Sequence, residues 1–228
     1  MAATKSPSRR PGIFISLEGG EGAGKTTQAQ LLRRRLERLG HKVVVTREPG
    51  GTRLSEEIRS IILRPSAAPR PNPSLSDLLP EAELLLFLAA RSQLVAEVIR
   101  PALERGEIVV CDRYSDSTLA YQGYGRGLDL EEVRAADRLA TSGLRPDLSV
   151  LLDLPVDVGL ARKAADAEWD TIGQEGREFH ERVHAGFAEI VAGEPGRWIV
   201  VDATLSSEVI AERIWERVEP LVHSLAAS

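Results

Sequence analysis

The sequence predicts an α/β fold in which helices cover a parallel β-sheet. Short runs of β-branched residues alternate with longer stretches of helical periodicity, as expected where crossover helices join parallel strands. A glycine-rich loop also lies between the first strand and the first helix, which is typical of the same class. With 228 residues, 43% of them apolar and 28% charged, the chain suits one globular domain with its own core.

The periodicity predicts the order of the elements. Short β-branched runs predict strands at residues 13–17, 43–46, 108–111, 150–154 and 198–201. Helical periodicity predicts helices at residues 25–39, 54–63, 80–104, 131–141, 156–165, 175–192 and 206–224. Gly40 suits the end of the first helix, and Pro80 and Pro155 suit first turns, whereas Pro101 should kink or break the third helix. Nothing indicates a repeat or a second domain, so residues 12–225 are expected to form a single domain, with a Pro-rich connecting loop at 64–77.

Charge and composition limit the kinds of partner and the cellular location that are expected for this protein. The net charge of −5 argues against a nucleic-acid polymer as the main partner, and no apolar stretch is long enough to cross a membrane. Residues 1–11 carry basic residues with no apolar segment behind them, which predicts a disordered basic tail and not a signal peptide. We therefore expect a cytoplasmic protein. Cys111 is the only cysteine, and its place at the end of an apolar run favours a buried, unreactive thiol.

The first glycine-rich loop has the pattern of a phosphate-binding loop. Residues 19–26 read G-G-E-G-A-G-K-T, which fits the spacing G-x-x-x-x-G-K-[ST] between a strand and a helix. Glycines allow successive backbone N–H groups to converge on phosphate oxygens at the positive end of the following helix. Lys25 adds a positive charge, and the Thr26 hydroxyl can bind Mg²⁺. The loop predicts triphosphate binding but does not show where the phosphate goes.

Polar residues also follow the second and third strands, where ligands of parallel sheets collect. After the second strand, Arg47 and Glu48 precede a pair of glycines, which indicates either a ligand contact or a plain turn. After the third strand, Asp112 is placed to hold a metal and Arg113 to bind phosphate. Asp153 after the fourth strand is the rival for the metal, but it resembles the start of a helix, so we favour Asp112.

Two further stretches have the composition of a ligand site. Residues 115–127 are rich in Tyr, Ser, Gln and Gly, which favours a ligand-lining loop. Phe87 and Arg91 lie four residues apart in one predicted helix and so share a face. They could stack on a base and bind its phosphate, or they could be a core aromatic beside an exposed cation; spacing alone leaves both interpretations open.

Taken together, these motifs resemble the bacterial thymidylate kinases from about Ile13 to the last helix. The resemblance depends on the phosphate loop with its preceding strand, T-R-E-P-G-G-T at 46–52, Phe87 with A-A-R at 89–91, D-R-Y at 112–114 and L-A-Y-Q-G at 119–123. It implies the P-loop nucleoside monophosphate kinase fold, with a five-stranded parallel sheet, helices on both faces and a helical lid at residues 162–174. It also implies a homodimer that transfers the γ-phosphoryl group of ATP to dTMP, with Mg²⁺, to give dTDP and ADP.

The resemblance also implies roles for individual residues. Phe87 would stack on thymine, and Tyr121 would crowd the 2′ position of the sugar. Gln122, with Ser117 or Thr118, would hydrogen-bond the base. The acceptor phosphate would be held by Arg59, Arg91 and Arg113. Near the phosphates, Glu21 and Glu48 would orient the acceptor or a metal-bound water. ATP would be bound by Gly19, Gly20, Glu21, Gly22, Ala23, Gly24, Lys25, Thr26 and Thr27.

The family places an arginine near the γ-phosphate, either in the phosphate loop or in the lid. This loop has none, so the lid must supply it. The lid, however, carries basic residues only at its beginning, Arg162 and Lys163. We hypothesise that Arg162 is the catalytic arginine, with Arg126 as the alternative.

Two other functions remain open at this stage. A kinase for dUMP or another pyrimidine nucleotide would use the same chemistry. A phosphate-loop ATPase or GTPase that switches a partner would share only the loop, and a GTPase would normally carry an N-K-x-D motif, which the sequence lacks.

Overall fold

The computed structural model describes residues 12–63, 78–164, 172–173 and 175–226. The predictions for the tail at 1–11, for the Pro-rich loop at 64–77 and for most of the lid lie outside these residues. Among the described helices, none combines the length and the apolar character needed to cross a bilayer.

The described elements alternate as predicted. The first half contains β1 (Phe14–Glu18), α1 (Lys25–Arg38), β2 (Val43–Arg47), α2 (Arg53–Ile62), α3 (Pro80–Leu94), a π-helical segment (Val95–Ile99), α4 (Arg100–Glu104) and β3 (Ile108–Asp112). The second half contains α5 (Ser115–Thr118), a π-helical segment (Leu119–Gly125), α6 (Leu130–Thr141), β4 (Leu148–Asp153), α7 (Val156–Ala164), α8 (Arg177–Gly193), a 3₁₀ turn (Pro195–Arg197), β5 (Trp198–Asp202) and α9 (Ser207–Ala226).

The five strands form one parallel sheet in the order β2-β3-β1-β4-β5. In the register of the central strand, Leu17 pairs with Asp112 of β3 and with Val150 of β4. The carboxyl ends of β1, β2 and β3 therefore meet at one edge of the sheet. This confirms the predicted parallel sheet and brings the loops after these strands together.

Helices cover both faces of the sheet, because the side chains of each strand alternate between two layers of the core. Ile15 and Leu17 of β1 belong to the layer packed by α1 and α9. Phe14 belongs to the opposite layer, with residues of α3, α4 and β3. Cys111 lies in that second layer and is fully buried, and burial raises the pKa of its thiol. The predicted burial of Cys111 is confirmed.

Two local predictions need correction. The chain stays helical through Pro101, so no break occurs there; instead, the helix widens to a π-helix over Val95–Ile99, where the Arg100 N–H donates to the Val95 carbonyl. Residues 115–125 are helical and do not form the predicted loop. Close packing on α8 explains this second result, since a Cβ at Gly125 would lie 2.7 Å from the Phe179 ring. Tertiary contact thus outweighs the weak helix propensity of this stretch.

Candidate functional site

A cavity of about 520 Å³ opens where the loops after β1, β2 and β3 meet. Residues 21–27 of the phosphate loop and of the start of α1 line one part of it. The residues at the ends of β2 and β3 line another part of it, and α2, α3, the helical stretch at 115–125 and the end of α7 line most of the rest. One continuous space therefore joins the predicted donor-binding loop to the predicted acceptor-binding residues.

The phosphate loop takes a conformation that requires glycine. Gly24, which precedes α1, has a φ of 90°, and Gly19 has a φ of 133°, where a Cβ would lie 2.5 Å from the Leu152 carbonyl oxygen. Lys25 Nζ donates to the carbonyl oxygens of Gly19 (3.1 Å) and Gly20 (2.8 Å). These two glycines hold the lysine but do not themselves line the cavity. Burial, with repulsion from Arg113, lowers the pKa of Lys25 to about 8.

The predicted metal ligands come together at the carboxyl end of β3. The Thr26 hydroxyl donates to Asp112 Oδ2 at 2.6 Å, and both residues line the cavity. Asp153, the rival, lies outside the cavity lining and contacts His184 Nε2 at 2.8 Å. In the described part of the chain no group of three or more His, Cys, Asp or Glu side chains could hold a metal ion. A single hydroxyl and a single carboxylate fit Mg²⁺, which keeps water and phosphate oxygens as its other ligands.

Arg113 connects the two parts of the cavity. Its Nη2 donates to Glu21 Oε1 at 2.6 Å and its Nη1 donates to the Gly19 carbonyl oxygen at 3.0 Å. Its guanidinium also lies 4.8 Å from the centre of the Tyr121 ring. The backbone of Arg113 is left-handed, with a φ of 69°, a conformation that costs a non-glycine residue about 1–3 kcal/mol and persists where surrounding contacts enforce it.

Glu21 is held as a carboxylate by its neighbours. Burial opposes its ionisation, but the positive charges of Arg113 and Lys25 and a hydrogen bond from the Tyr121 hydroxyl outweigh burial and lower its pKa to about 2. Glu21 is therefore anionic at neutral pH and keeps the Arg113 guanidinium beside the phosphate loop.

Arg91 is deeply buried, with 1% of its side chain exposed. Its Nε and Nη2 donate to Glu48 Oε2 at 2.7 and 2.5 Å, and its Nη1 donates to Asp137 Oδ1 at 2.8 Å. The alternative of an exposed cation at position 91 is wrong. Phe87 is partly buried and lines the cavity together with Arg91 and Glu48. Glu48 Oε1 is buried and has no hydrogen-bond partner among the described residues.

The remaining predicted acceptor residues also line the cavity. Ser117, Thr118, Tyr121 and Gln122 do so from the helical stretch at 115–125, and Arg59 does so from α2. The guanidinium of Arg59 donates to the Pro49 carbonyl oxygen at 2.9 Å. The structure thus brings together every predicted base-binding and phosphate-binding side chain.

Glu18, at the end of β1, is a buried carboxyl behind the acceptor residues. Its Oε1 accepts from the Tyr114 N–H at 3.0 Å and its Oε2 accepts from the Ser117 hydroxyl at 2.5 Å. Burial, together with the nearby Asp116 carboxylate, raises the pKa of Glu18 to about 8. The folded protein therefore holds a proton on this group across a range in which the unfolded chain loses it.

This difference predicts a pH dependence of stability. Between pH 4.5 and about 8 the folded state binds more protons at Glu18 than the unfolded state does, so the free energy of unfolding should fall as pH rises. The variant Glu18→Gln lacks the titrating group. Urea unfolding of both proteins at pH 5, 6, 7 and 8 should show wild type losing stability relative to the variant with each step. A constant difference would contradict the prediction.

The candidate lid cations lie at the end of α7. Arg162 and Lys163 both line the cavity, and Arg162 Nη1 lies 3.4 Å from the Gly22 carbonyl oxygen of the phosphate loop. Arg126, the alternative, is not among the lining residues. Its guanidinium donates to Glu83 and Glu175 and lies over the Phe179 ring. The geometry favours Arg162 over Arg126.

Three lining residues were given no role by the sequence, Pro49, Leu63 and Ile172, and for Arg47 the sequence left a ligand contact or a plain turn open. Arg47 belongs to the R-E-P-G-G turn, and that motif was a signal that could have identified it. Its guanidinium pairs with Glu56 at 3.1 Å. Leu63 follows the end of α2 and Ile172 lies in a turn before α8, and their types and spacing carry no signal of a ligand site.

Comparison with known proteins identifies the family. The family model described as thymidylate kinase matches residues 17–214. A thymidylate kinase of Thermomicrobium roseum is 54% identical over 206 residues, which is 90% of this chain and 93% of that protein. A thymidylate kinase of Deinococcus radiodurans is 48% identical over 212 residues, covering 93% of this chain and 98% of that protein.

A solved structure supports the fold. The crystal structure of thymidylate kinase from Ehrlichia chaffeensis matches with a TM-score of 0.66 and 36% identity, covering 84% of this chain and 93% of that chain. The five-stranded parallel sheet with helices on both faces is that of a P-loop nucleoside monophosphate kinase. The chain therefore belongs to the thymidylate kinase family.

Proposed function

We propose that this protein is an ATP-dependent dTMP kinase, which transfers the γ-phosphoryl group of ATP to dTMP and gives dTDP and ADP for dTTP synthesis. The observation that carries the proposal is the continuous cavity, because a phosphate-binding loop, an aromatic ring, an amide and several guanidinium groups share one space. A partner-switching ATPase or GTPase needs no such second compartment. We place the enzyme in the cytoplasm, with its two substrates.

The donor end of the cavity holds the phosphates of ATP in this proposal. Residues 21–27, which line the cavity, supply backbone N–H groups, and Lys25 exchanges its two carbonyl acceptors for phosphate oxygens. Thr26 and Asp112 would hold Mg²⁺, and the ion would supply positive charge that offsets the negative charge of the phosphate oxygens. Arg162, at the end of α7, supplies a further positive charge at the mouth of the loop.

The acceptor end holds dTMP. Phe87 stacks on the base, Gln122 with Ser117 or Thr118 binds its polar edge, and Tyr121 excludes a 2′-hydroxyl group. Arg59, Arg91 and Arg113 bind the acceptor phosphate, with Glu48 orienting Arg91. Phosphoryl transfer needs mainly alignment of the substrates and neutralisation of negative charge. Arg113 donates to Glu21 and also lines the acceptor end of the cavity, so it is the residue that best connects the two substrates.

A panel of nucleotides tests the proposal. With ATP and Mg²⁺, ADP release should be strongly stimulated by dTMP, weakly by dUMP and little by dCMP, dAMP or dGMP. The 5-methyl group in an apolar niche is worth only about 1–3 kcal/mol, so dUMP should be a poor substrate and not an inert one. Stimulation by dUMP above dTMP would favour a different pyrimidine kinase, and stimulation by none would favour a phosphate-loop ATPase.

Phe87→Ala should weaken dTMP binding about tenfold or more, because stacking and burial of the base are lost. The affinity for ATP should be nearly unchanged, since Phe87 lies on α3 and not in the phosphate loop. Calorimetric titration with each nucleotide measures both affinities. Phe87→Tyr, which keeps the ring, is the matched control and should bind dTMP nearly as wild type does. An equal loss for dTMP and ATP in Phe87→Ala would mean that Phe87 is a core residue only.

We also propose a homodimer. Large apolar side chains are exposed on three neighbouring helices, where α3 packs between α2 and α6. They are Leu54, Ile61, Leu85 and Leu139. Burial of such a face against a second copy would remove apolar surface from water. Sedimentation should give twice the chain mass for wild type and for a Val209→Glu control on α9, and a monomer for Leu85→Glu combined with Leu139→Glu. A monomeric wild type would contradict the proposal.

A further inference from the structure

Behind Gln122 lies a buried carboxylate that the proposed reaction does not use. Glu83, in the first turn of α3, has 4% of its surface exposed. Its Oε1 accepts from Gln122 Nε2 at 2.8 Å, and its two oxygens accept from Arg126 Nε at 3.2 Å and Nη2 at 2.9 Å. A buried carboxylate is costly unless it is paired, so its partners indicate what it does.

The two partners have different roles. Arg126 balances the charge of Glu83 and is itself held by Glu175 at 2.6 Å and by the Phe179 ring at 4.7 Å. Paired with a guanidinium through both oxygens, Glu83 is a carboxylate and only accepts hydrogen bonds. The Gln122 atom that faces Glu83 must therefore be the amide nitrogen. Without such a partner, the amide group could rotate by about 180° and exchange the positions of its oxygen and nitrogen.

Fixing the nitrogen also fixes the oxygen. Gln122 is 1% exposed and lines the cavity, and its Oε1 receives no hydrogen bond from the described residues. With the nitrogen bound to Glu83, the cavity side of the amide is a hydrogen-bond acceptor. Thymine and uracil carry a donor, N3–H, on their polar edge, whereas N3 of cytosine is an acceptor.

We propose that Glu83 determines the base specificity of the site by holding the Gln122 amide with its oxygen toward the base, so that the site takes pyrimidine nucleotides with a proton on N3 and rejects cytosine nucleotides. This inference rests on the proposed function. Glu83 is a positioning residue, because it acts through Gln122 and does not touch the substrate.

The test compares kcat/KM for dTMP and dCMP in wild type and in Glu83→Gln. The neutral amide at position 83 can donate as well as accept, which frees the Gln122 amide to turn. We expect kcat/KM for dTMP to fall and that for dCMP to rise, so that their ratio drops about tenfold or more, since discrimination by buried hydrogen-bonding groups reaches about 10⁴. A purely structural role would lower both values together, and that result would overturn the proposal.

Two further variants sharpen the result. Glu175→Gln makes the same chemical change at the other partner of Arg126 and should keep the wild-type ratio; an equal loss there would assign the effect to Arg126 and overturn the proposal. The double variant Glu83→Gln/Gln122→Glu presents a carboxylate to the base, which only accepts, and should restore the preference for dTMP. Failure to restore it would count against the orientation of Gln122 as the cause.

A measurement on the wild-type protein covers the case in which Glu83→Gln does not fold. Calorimetric binding of dTMP methylated at N3, which lacks the donor, should be at least about 100-fold weaker than binding of dTMP. Equal binding would overturn the inference. A wild type that is not stimulated by dTMP at all would instead refute the proposed function, and a wild type that uses dTMP and dCMP equally would refute only the role of Glu83.

Discussion

Arg113→Met should lower kcat/KM for dTMP by about 10³, because an arginine that stabilises the migrating phosphoryl group is worth at least that much in phosphoryl transfer. Arg113 is placed for this role by its bonds to Glu21 and to the Gly19 carbonyl oxygen. Methionine keeps much of the side-chain volume over the Tyr121 ring but removes the charge and the donors. Steady-state ADP release with saturating ATP measures the effect.

Two companions make the result specific. Arg113→Lys keeps the charge but not the two-pronged geometry, so its loss should be intermediate. Arg35→Met removes a guanidinium that lies 4.3 Å from the centre of the Trp215 ring and pairs with Glu212, away from the cavity; its activity should stay within about twofold of wild type, as for a surface substitution. A folded Arg113→Met protein with less than a tenfold loss would contradict the proposed role.

Arg162→Ala should lower kcat by about 10³ while the KM for dTMP changes little, because a lid arginine acts on charge that develops only in the transition state. The residue stands at the end of α7, where its Nη1 lies 3.4 Å from the Gly22 carbonyl oxygen. Burst and steady-state kinetics with both substrates separate the chemical step from product release.

Arg177→Ala is the matched control for this variant. Arg177 is the first residue of α8 and pairs with Asp157 of α7, the helix that carries Arg162. Its side chain is 62% exposed and does not line the cavity, so turnover should stay near wild type. Lys163→Ala shows whether the neighbouring cation contributes. If Arg162→Ala loses less than tenfold while Lys163→Ala loses much more, the catalytic charge belongs to Lys163 and the assignment of Arg162 is wrong.

Much of the fold could be predicted because its signals are local. The five predicted strands match the five observed strands to within one or two residues at each end, since β-branched runs and helical periodicity are properties of short stretches. The phosphate loop was equally clear, because glycines at fixed positions and a lysine at the start of a helix have few other uses. Residues 115–125 escaped prediction because their helical form depends on contact with α8.

The candidate site was predicted as a set of residues but not as an arrangement. Motifs after β1, β2 and β3 indicated which side chains carry the chemistry, and the parallel order of these strands brings them to one edge. Spacing did not show that Arg91 is buried between Glu48 and Asp137, and it did not single out Glu83 at all. A glutamate in the first turn of a helix is ordinarily exposed to solvent, and its negative charge interacts favourably with the helix dipole.

The class of fold, the phosphate loop and the family resemblance follow from the amino-acid sequence, because each of these depends on neighbouring residues or on motifs of fixed spacing. The sequence did not show which polar side chains meet, because the partners come from distant elements: Thr26 with Asp112, Arg113 with Glu21, and Glu83 with Gln122. The hydrogen-bond partners of a side chain depend on how the helices pack against the sheet. Local propensity does not encode that packing.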